Sequence, residues 1–131
     1  MADLFSDEWM KGFMTAWNNE PALSDALAKI DFNSTIAYGF QGDAQPMGIL
    51  VIEQGKVVSA GAYNGEELSW DMRASKESWE KWVKKGLGMI GLGLAYSTRK
   101  LKFEVGDYSA MIKDPRMAKP FIKSFNVMGQ V

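Results

Sequence analysis

Residues 68–79 read LSWDMRASKESW, and the spacing of their apolar side chains changes halfway through. Apolar residues stand at every second position from 68 to 72, which is the pattern of a strand with one buried face. Ser75 follows as a favoured helix N-cap, because its hydroxyl can accept a hydrogen bond from a free N–H of the first turn. The stretch therefore predicts a strand that leads directly into a helix. The apolar stripe of that helix consists of Trp79, Trp82 and Val83.

The sequence on either side of this stretch contains further strand patterns. We predict strands at 35–40, 47–53 and 57–63, and a fifth at 101–105, where LKFEV alternates again. Asn64 and Gly65 form a strong signal for a two-residue hairpin turn. Because the connections are short, the first four strands are predicted to form an antiparallel meander.

Helices are predicted at both ends of the chain. Ser6 can cap a first helix that ends near Asn18, and Pro21 suits the first turn of a second, short helix. After the fifth strand we expect a helical turn at 108–113 and a last helix that begins at Pro115. Pro120 falls within the first two turns of that helix and is expected to kink it or delay its start.

The composition excludes several kinds of site. The 131 residues include 15 basic and 16 acidic residues, for a net charge of −1, and neither cysteine nor histidine. Without cysteine the chain can form no disulfide, no thiolate nucleophile and no structural zinc site of the usual kind. Without histidine it lacks the commonest general base. We therefore expect no catalytic residue, no metal site and no cofactor. The balanced charge gives no reason to expect a nucleic-acid partner.

The length predicts a single domain that comprises residues 1–131. The N-terminus lacks the basic, apolar and small-residue succession of a signal peptide, and no run of 18 apolar residues occurs. A cytoplasmic location is the resulting expectation.

The stretch KGLGMIGLGLA at 85–95 matches G-x-G-x-x-G, the dinucleotide-binding pattern. That pattern requires a parallel strand before it and a helix after its first glycine. Here an amphipathic helix precedes it, so a nucleotide site is not favoured. Glycines weaken a helix. The segment is therefore interpreted either as a buried helix packed tightly on the sheet or as the mobile wall of an apolar cavity.

Two stretches make the chain resemble the sterol carrier protein 2 family. Residues 68–79 are similar to that family's fourth strand and its Ser/Thr-capped helix, and KLKFEVGD at 100–107 is similar to its G-K-L-K-hydrophobic-x-G-D strand. The resemblance extends from about Trp9 to Phe125. Arg99 stands where the family has glycine, and Val105 looks like an added residue, which suggests a β-bulge.

The resemblance implies an α+β fold and a lipid ligand. The expected sheet has five mostly antiparallel strands, four in a meander and the fifth after a helical crossover. About five helices would cover one face of the sheet and enclose an apolar tunnel. Such a tunnel would hold a fatty acid, an acyl-CoA or a sterol-like lipid, so we expect non-catalytic lipid binding and transfer, and transient membrane contact is compatible with it.

The predicted site residues follow from these patterns. Lys85 and Arg99 flank the apolar segment and are either headgroup ligands or solvated charges. The apolar cavity candidates are Trp70, Met72, Trp82, Leu87, Met89, Ile90, Leu92, Leu94, Phe103, Met117, Phe121 and Phe125.

Two other functions stay open. The chain could be a small or accessory enzyme domain acting on an apolar substrate, which would need a polar group in the cavity. The candidates for that group are Tyr38, Tyr63, Tyr96 and Asp71. It could instead be an interaction module whose apolar face another chain covers, although no particular protein partner is indicated. Asp71 and Arg73 share a strand face and are otherwise expected to form an exposed ion pair.

Overall fold

A computed structural model describes residues 2–131 and places six helices and five strands among them. The helices are α1 Asp7–Asn18, α2 Pro21–Ala28, α3 Lys76–Lys85, α4 Met89–Ser97, α5 Tyr108–Ile112 and α6 Pro115–Met128. The strands are β1 Ser34–Phe40, β2 Gly48–Glu53, β3 Lys56–Ala62, β4 Trp70–Ala74 and β5 Leu101–Val105. The α+β class is confirmed, with six helices where about five were expected.

The five strands form one mixed sheet in the order β3-β2-β1-β4-β5. β1–β2, β2–β3 and β4–β5 are antiparallel, as predicted for most of the sheet, but β1 and β4 are parallel. The expected meander is therefore correct for three strands and wrong for the fourth. Asn64 and Gly65 do not join a hairpin; they lie in a connection that carries the chain from β3 to the far side of β1.

The position of β4 has a physical reason in its side chains. β4 lies between β1 and β5, and in this place Met72 and Ala74 are almost fully buried. In the parallel register Met72 lies beside Tyr38, so two large side chains pack on the same face. Burial of these apolar groups outweighs the local turn preference of the connection.

The expected bulge occurs in β5. Asp71 pairs with Val105 and Met72 pairs with Phe103, so Glu104 is the extra residue opposite this step. A bulge of this kind lets one strand carry an additional residue without breaking the rest of the ladder.

The two predicted serine caps are present. The Ser6 hydroxyl accepts from the Trp9 N–H, and the Ser75 hydroxyl accepts from the Ser78 N–H. α6 runs without interruption through Pro120 and packs against α1, α2, α3 and α5. The predicted delayed start at Pro120 is wrong, because α6 already begins at Pro115 with the Asp114 side chain as its cap.

Aromatic side chains fix the helices to one face of the sheet, here called the helix face. Tyr38 of β1 contacts Phe5, Phe13 and Trp79, with ring centroids 5.4, 5.8 and 6.0 Å away. The buried Trp79 indole N–H also donates to the Gly39 carbonyl at 2.8 Å. This bond satisfies the indole inside the core and orients α3 on the sheet.

Candidate ligand-binding site

An apolar cavity of about 40 Å³ lies between the helix face of the sheet and α2, α5 and α6. Since one water needs about 10–15 Å³ of such space, the cavity is only a few water molecules in size. Its walls are formed by Trp17, Leu23, Leu27, Phe32, Ile36, Trp70, Met72, Phe103, Met111, Met117, Pro120 and Phe121. The lipid-sized tunnel that was expected is not seen among residues 2–131, where this space is much smaller.

The chemistry of the walls is almost wholly apolar. Apart from two indole N–H groups, the side chains that line the cavity carry no nitrogen or oxygen, and the Trp17 N–H already donates to the Gly55 carbonyl at 2.9 Å. A cavity of this kind does not hold water well, because water needs two or more polar partners. The walls can therefore accept hydrocarbon and offer a sugar or a nucleotide at most the Trp70 indole N–H.

Several wall elements are able to adapt their shape. Met72, Met111 and Met117 are unbranched and fit varied apolar surfaces. α2 has eight residues and α5 has five, and helices this short depend on packing for their stability. Pro120 removes one backbone donor from α6 at the cavity. The helical wall is thus easier to displace than the sheet.

A cationic groove runs along the outside of this wall, between α2 and α6. It measures about 600 Å³, and Pro120 lines both the groove and the cavity. Its cations are Lys29, Arg116, Lys119 and Lys123.

The cations of the groove differ in their pairing. Arg116 contacts Asp114 at 3.0 Å, and Lys123 contacts Glu20 at 3.5 Å. The hydrogen bond from Arg116 lowers the pKa of the Asp114 carboxyl. Lys29 and Lys119 form no ion pair within the described part of the chain, so they remain available to an anionic group.

Solved structures with the same architecture identify the fold. The crystal structure of sterol carrier protein 2 superposes with a TM-score of 0.79 at 18% identity, covering 98% of this chain and 99% of that one. This chain has the sterol carrier protein 2 fold. The resemblance seen in residues 68–79 and 100–107 is therefore supported at the level of structure.

Two further structures agree with this assignment. The solution structure of a conserved hypothetical protein from Thermus thermophilus, described as possibly a sterol carrier protein, gives a TM-score of 0.70 at 18% identity, with 96% and 90% of the two chains covered. The ubiquinone synthesis protein UbiJ-SCP2 gives 0.59 at 14% identity, with 93% and 88% covered. No protein-family model matches the sequence, and no curated protein has significant sequence similarity to it.

The predicted cavity residues fall into three groups in this sterol carrier protein 2 fold. Five of them line the cavity, namely Trp70, Met72, Phe103, Met117 and Phe121. Four are buried elsewhere in the core, namely Trp82, Leu87, Leu92 and Phe125. Three are exposed on α4, namely Met89, Ile90 and Leu94.

Seven wall residues were not among the predicted cavity residues. They are Trp17, Leu23, Leu27, Phe32, Ile36, Met111 and Pro120. Helical and strand periodicity marks most of them as buried, but periodicity does not distinguish a side chain in a packed core from one beside a gap. The relevant signal is the meeting of α2 with α6, which is a contact between distant parts of the chain.

The glycine-rich segment is a helix outside the cavity wall. α4 follows an extended Gly88, and of its side chains Leu92 and Ala95 are buried. None of residues 86–94 lines the cavity seen here, and their role as a mobile wall stays a prediction. Gly86 has φ +77°, and an added Cβ there would lie 2.5 Å from Asn126 Oδ1, so backbone geometry accounts for this glycine.

The predicted headgroup residues lie on either side of α4 in the chain. Lys85 ends α3 and Arg99 follows α4, so a nine-residue helix about 14 Å long lies between them. Neither residue lines the cavity or the groove between α2 and α6.

Asp71 and Arg73 form a buried ion pair on the opposite face of the sheet. They are 5% and 6% exposed, and Arg73 donates to both carboxylate oxygens, with Nε–Oδ1 at 2.7 Å and Nη2–Oδ2 at 3.0 Å. Arg73 also donates to the Asp43 carbonyl at 2.8 Å. The expectation of an exposed pair is wrong, because the loop at 41–47 folds over this face. A polar pocket of about 260 Å³ adjoins the pair.

The candidate catalytic groups all lie outside the apolar cavity. Asp71 is on the opposite face, and Tyr63 lies in the connection after β3. Tyr38 is buried in the aromatic core, where loss of solvation raises the pKa of its hydroxyl. Tyr96 stacks on Tyr108 at 3.8 Å. The cavity therefore has no acid or base positioned against a substrate. Among residues 2–131, no cluster of acidic side chains is arranged to hold a metal, and no helix is long and apolar enough to cross a membrane.

Proposed function

We propose that the protein binds an amphiphile with a long hydrocarbon part, such as a fatty acid or an acyl-CoA, and transfers it. The observation that carries the proposal is the apolar cavity between the sheet and the adaptable wall of α2, α5 and α6. The shared fold with sterol carrier protein 2 supports the same reading. A sterol-like lipid is also compatible with these apolar walls.

The hydrocarbon part would occupy the cavity after the helical wall has moved outward. Burial of about 15 methylenes yields about 12 kcal/mol. Association costs at least about 4 kcal/mol, which leaves about 8 kcal/mol, or micromolar affinity, before the cost of opening is subtracted. A single chain is therefore sufficient for useful binding.

The charged end of the amphiphile would lie in the groove between α2 and α6. Lys29 and Lys119 supply positive charge there, and Pro120 separates this groove from the cavity. A carboxylate or phosphate held at this position would leave its chain next to the wall that has to open. Headgroup binding by Lys85 and Arg99 stays a prediction for a ligand that lies outside this cavity and groove.

Displacement of a fluorescent fatty acid tests the proposal, with two matched variants of α6. Met117→Trp fills the cavity and should weaken binding at least tenfold, because the added ring occupies the space of the chain. Ile122→Trp makes a similar change at a half-buried position of the same helix that does not line the cavity, and it should bind as the unmodified chain does.

Native mass spectrometry of freshly purified protein gives an independent readout, since a co-purifying lipid would add its mass to the chain. Equal binding by the Met117→Trp and Ile122→Trp variants would contradict the cavity assignment. Failure of every acyl chain, acyl-CoA and sterol to displace the probe would refute the proposed function.

A further inference from the structure

The charges of this chain are distributed unevenly along the sequence. Residues 81–102 contain six basic residues and no acidic one. The remainder of the chain contains nine basic and 16 acidic residues, so its net charge is −7 against +6 for this segment. The cations of the segment are Lys81, Lys84, Lys85, Arg99, Lys100 and Lys102, and all six are exposed.

The same segment presents apolar side chains to solvent. Ile90 is 82% exposed, Leu94 is 60% exposed and Met89 is 47% exposed. Ile90 and Leu94 are four residues apart and therefore lie on one face of α4. Leu92 and Ala95 are buried, which fixes the helix to the protein by its other face. Large exposed apolar patches with charged rims usually mark interaction surfaces.

The cations of this segment have their charges exposed to solvent. In the part of the chain that the structure describes, none of the six forms an ion pair. Lys81 and Lys84 follow Glu77 and Glu80 by one helical turn, yet no contact within 4 Å joins them. Lys84 and Lys85 lie before α4, and Arg99 and Lys100 lie after it, so both ends of the apolar helix carry free positive charge.

We propose that this surface docks onto an anionic lipid bilayer. The α4 surface comprises Met89, Ile90 and Leu94 together with Lys84, Lys85, Arg99 and Lys100. The apolar side chains would enter the interface between headgroups and acyl chains, and the cations at the two ends of α4 would contact anionic headgroups. At nine residues the helix is too short to cross the bilayer and lies in its surface.

A bilayer fits the observations better than a protein partner does. The polar side chain in line with Ile90 and Leu94 is Ser97, and its hydroxyl already donates to the Leu94 carbonyl of its own helix at 3.2 Å, so it does little to fix the register of a protein interface. An added Cβ at Gly88 or Gly93 would meet no atom within 4 Å, so this face has gaps that a fluid surface can fill. The net charge of −7 on the rest of the chain would be repelled by an anionic bilayer, which orients the α4 surface toward it.

Sedimentation with lipid vesicles tests this docking. The full chain is mixed with vesicles of phosphatidylcholine alone or of two parts phosphatidylcholine and one part phosphatidylglycerol. We expect binding to the anionic vesicles only. We also expect strong weakening when the ionic strength is raised from about 0.1 M to about 1 M, where the Debye length falls from about 10 to about 3 Å.

Two double variants and two controls locate the contact. Ile90→Gln with Leu94→Gln should weaken vesicle binding at least tenfold, because each side chain loses its transfer into the interface. Lys84→Gln with Lys85→Gln should weaken it about 25-fold, at about fivefold per cation. Val58→Gln and Lys56→Gln change similarly exposed residues of β3 and should leave binding unchanged. All of these positions are exposed, so circular dichroism should report native folding in each variant.

Three results would overturn the docking proposal: no binding to anionic vesicles, equal binding by the Ile90/Leu94 variant, or a dimer in solution that this variant dissociates. The last result would mean that a second copy of the chain covers the surface. The docking surface goes beyond the proposed function and does not depend on it. Fatty-acid displacement in vesicle-free solution should be unchanged in the Ile90/Leu94 variant, so each assay can fail while the other succeeds.

Discussion

Removal of Arg73 should reveal how strongly the buried ion pair contributes to stability. Arg73→Met keeps much of the side-chain volume but leaves the Asp71 carboxylate buried without its two hydrogen bonds, which measure 2.7 and 3.0 Å in the native protein. Breaking a buried pair in this way costs about 3–5 kcal/mol. The adjoining polar pocket gives water some access to the carboxylate. We therefore expect a loss of about 3 kcal/mol, which is a large part of the roughly 5–15 kcal/mol typical of a domain.

Urea unfolding followed by circular dichroism measures this loss, and two variants provide the comparison. Arg116→Met breaks an exposed pair with Asp114 and should cost less than about 1 kcal/mol. Asp71→Leu combined with Arg73→Met removes both charges, and its stability should lie within about 1 kcal/mol of the native value. A loss no larger than that of Arg116→Met would refute the assignment of a buried, mutually dependent pair.

Two further predictions concern backbone and surface charge. Gly86→Ala should destabilise the protein by about 1–2 kcal/mol, because Gly86 has φ +77° and approaches Asn126. Gly93→Ala should stabilise it by about 0.5–1 kcal/mol, because it adds a helix-favouring side chain in open space. Equal effects of the two substitutions on the free energy of urea unfolding would contradict this. The pKa of Asp7 is lowered by its hydrogen bond from Lys11 and, next, by that from the Ala62 N–H, so the stabilising contribution of Asp7 should be present above its ordinary pKa and be lost as the pH falls through the lowered value. Nuclear magnetic resonance titration of the carboxyl checks the direction, and Lys11→Met should move the pKa back toward its ordinary range.

Local structure was largely predictable from the sequence because its causes are local. Ser6 and Ser75 form the caps that their positions indicate, and the change from a two-residue to a helical period at Ser75 marks the end of β4. Strand pairing was not predictable in the same way. Asn64 and Gly65 favour a hairpin locally, but the partner of β4 is decided by burial of Met72 beside Tyr38, which lies far earlier in the chain.

The cavity shows the same division between local and distant causes. Phe121 and Phe125 are four residues apart on one stripe of α6, and the sequence pattern predicts the same role for both. In the structure Phe121 lines the cavity, whereas Phe125 is fully buried against Trp79, with ring centroids 6.2 Å apart. Only the arrangement of neighbouring elements decides which side chain faces a gap. The buried pair of Asp71 and Arg73 is a second example, since the loop that covers it comes from 41–47.

The small volume of the cavity bears on whether its wall needs to move in the absence of ligand. An empty apolar cavity of about 200 Å³ would cost about 5 kcal/mol at about 24 cal/mol per Å³, whereas the observed 40 Å³ costs only about 1 kcal/mol. The protein without ligand therefore has little empty volume to fill, and the cost of opening falls on the ligand-bound state, where burial of hydrocarbon offsets it.

The helices that would move on opening are α2, α5 and α6, whereas the exposed apolar face is on α4. One connection between them is the stacked pair of Tyr96 and Tyr108, which joins α4 to the first residue of α5. Substitutions at Met117 and Ile90 should therefore have additive effects on the free energy of fatty-acid binding unless this stack couples them. A departure from additivity that Tyr96→Ala abolishes would identify the stack as the route between the two sites.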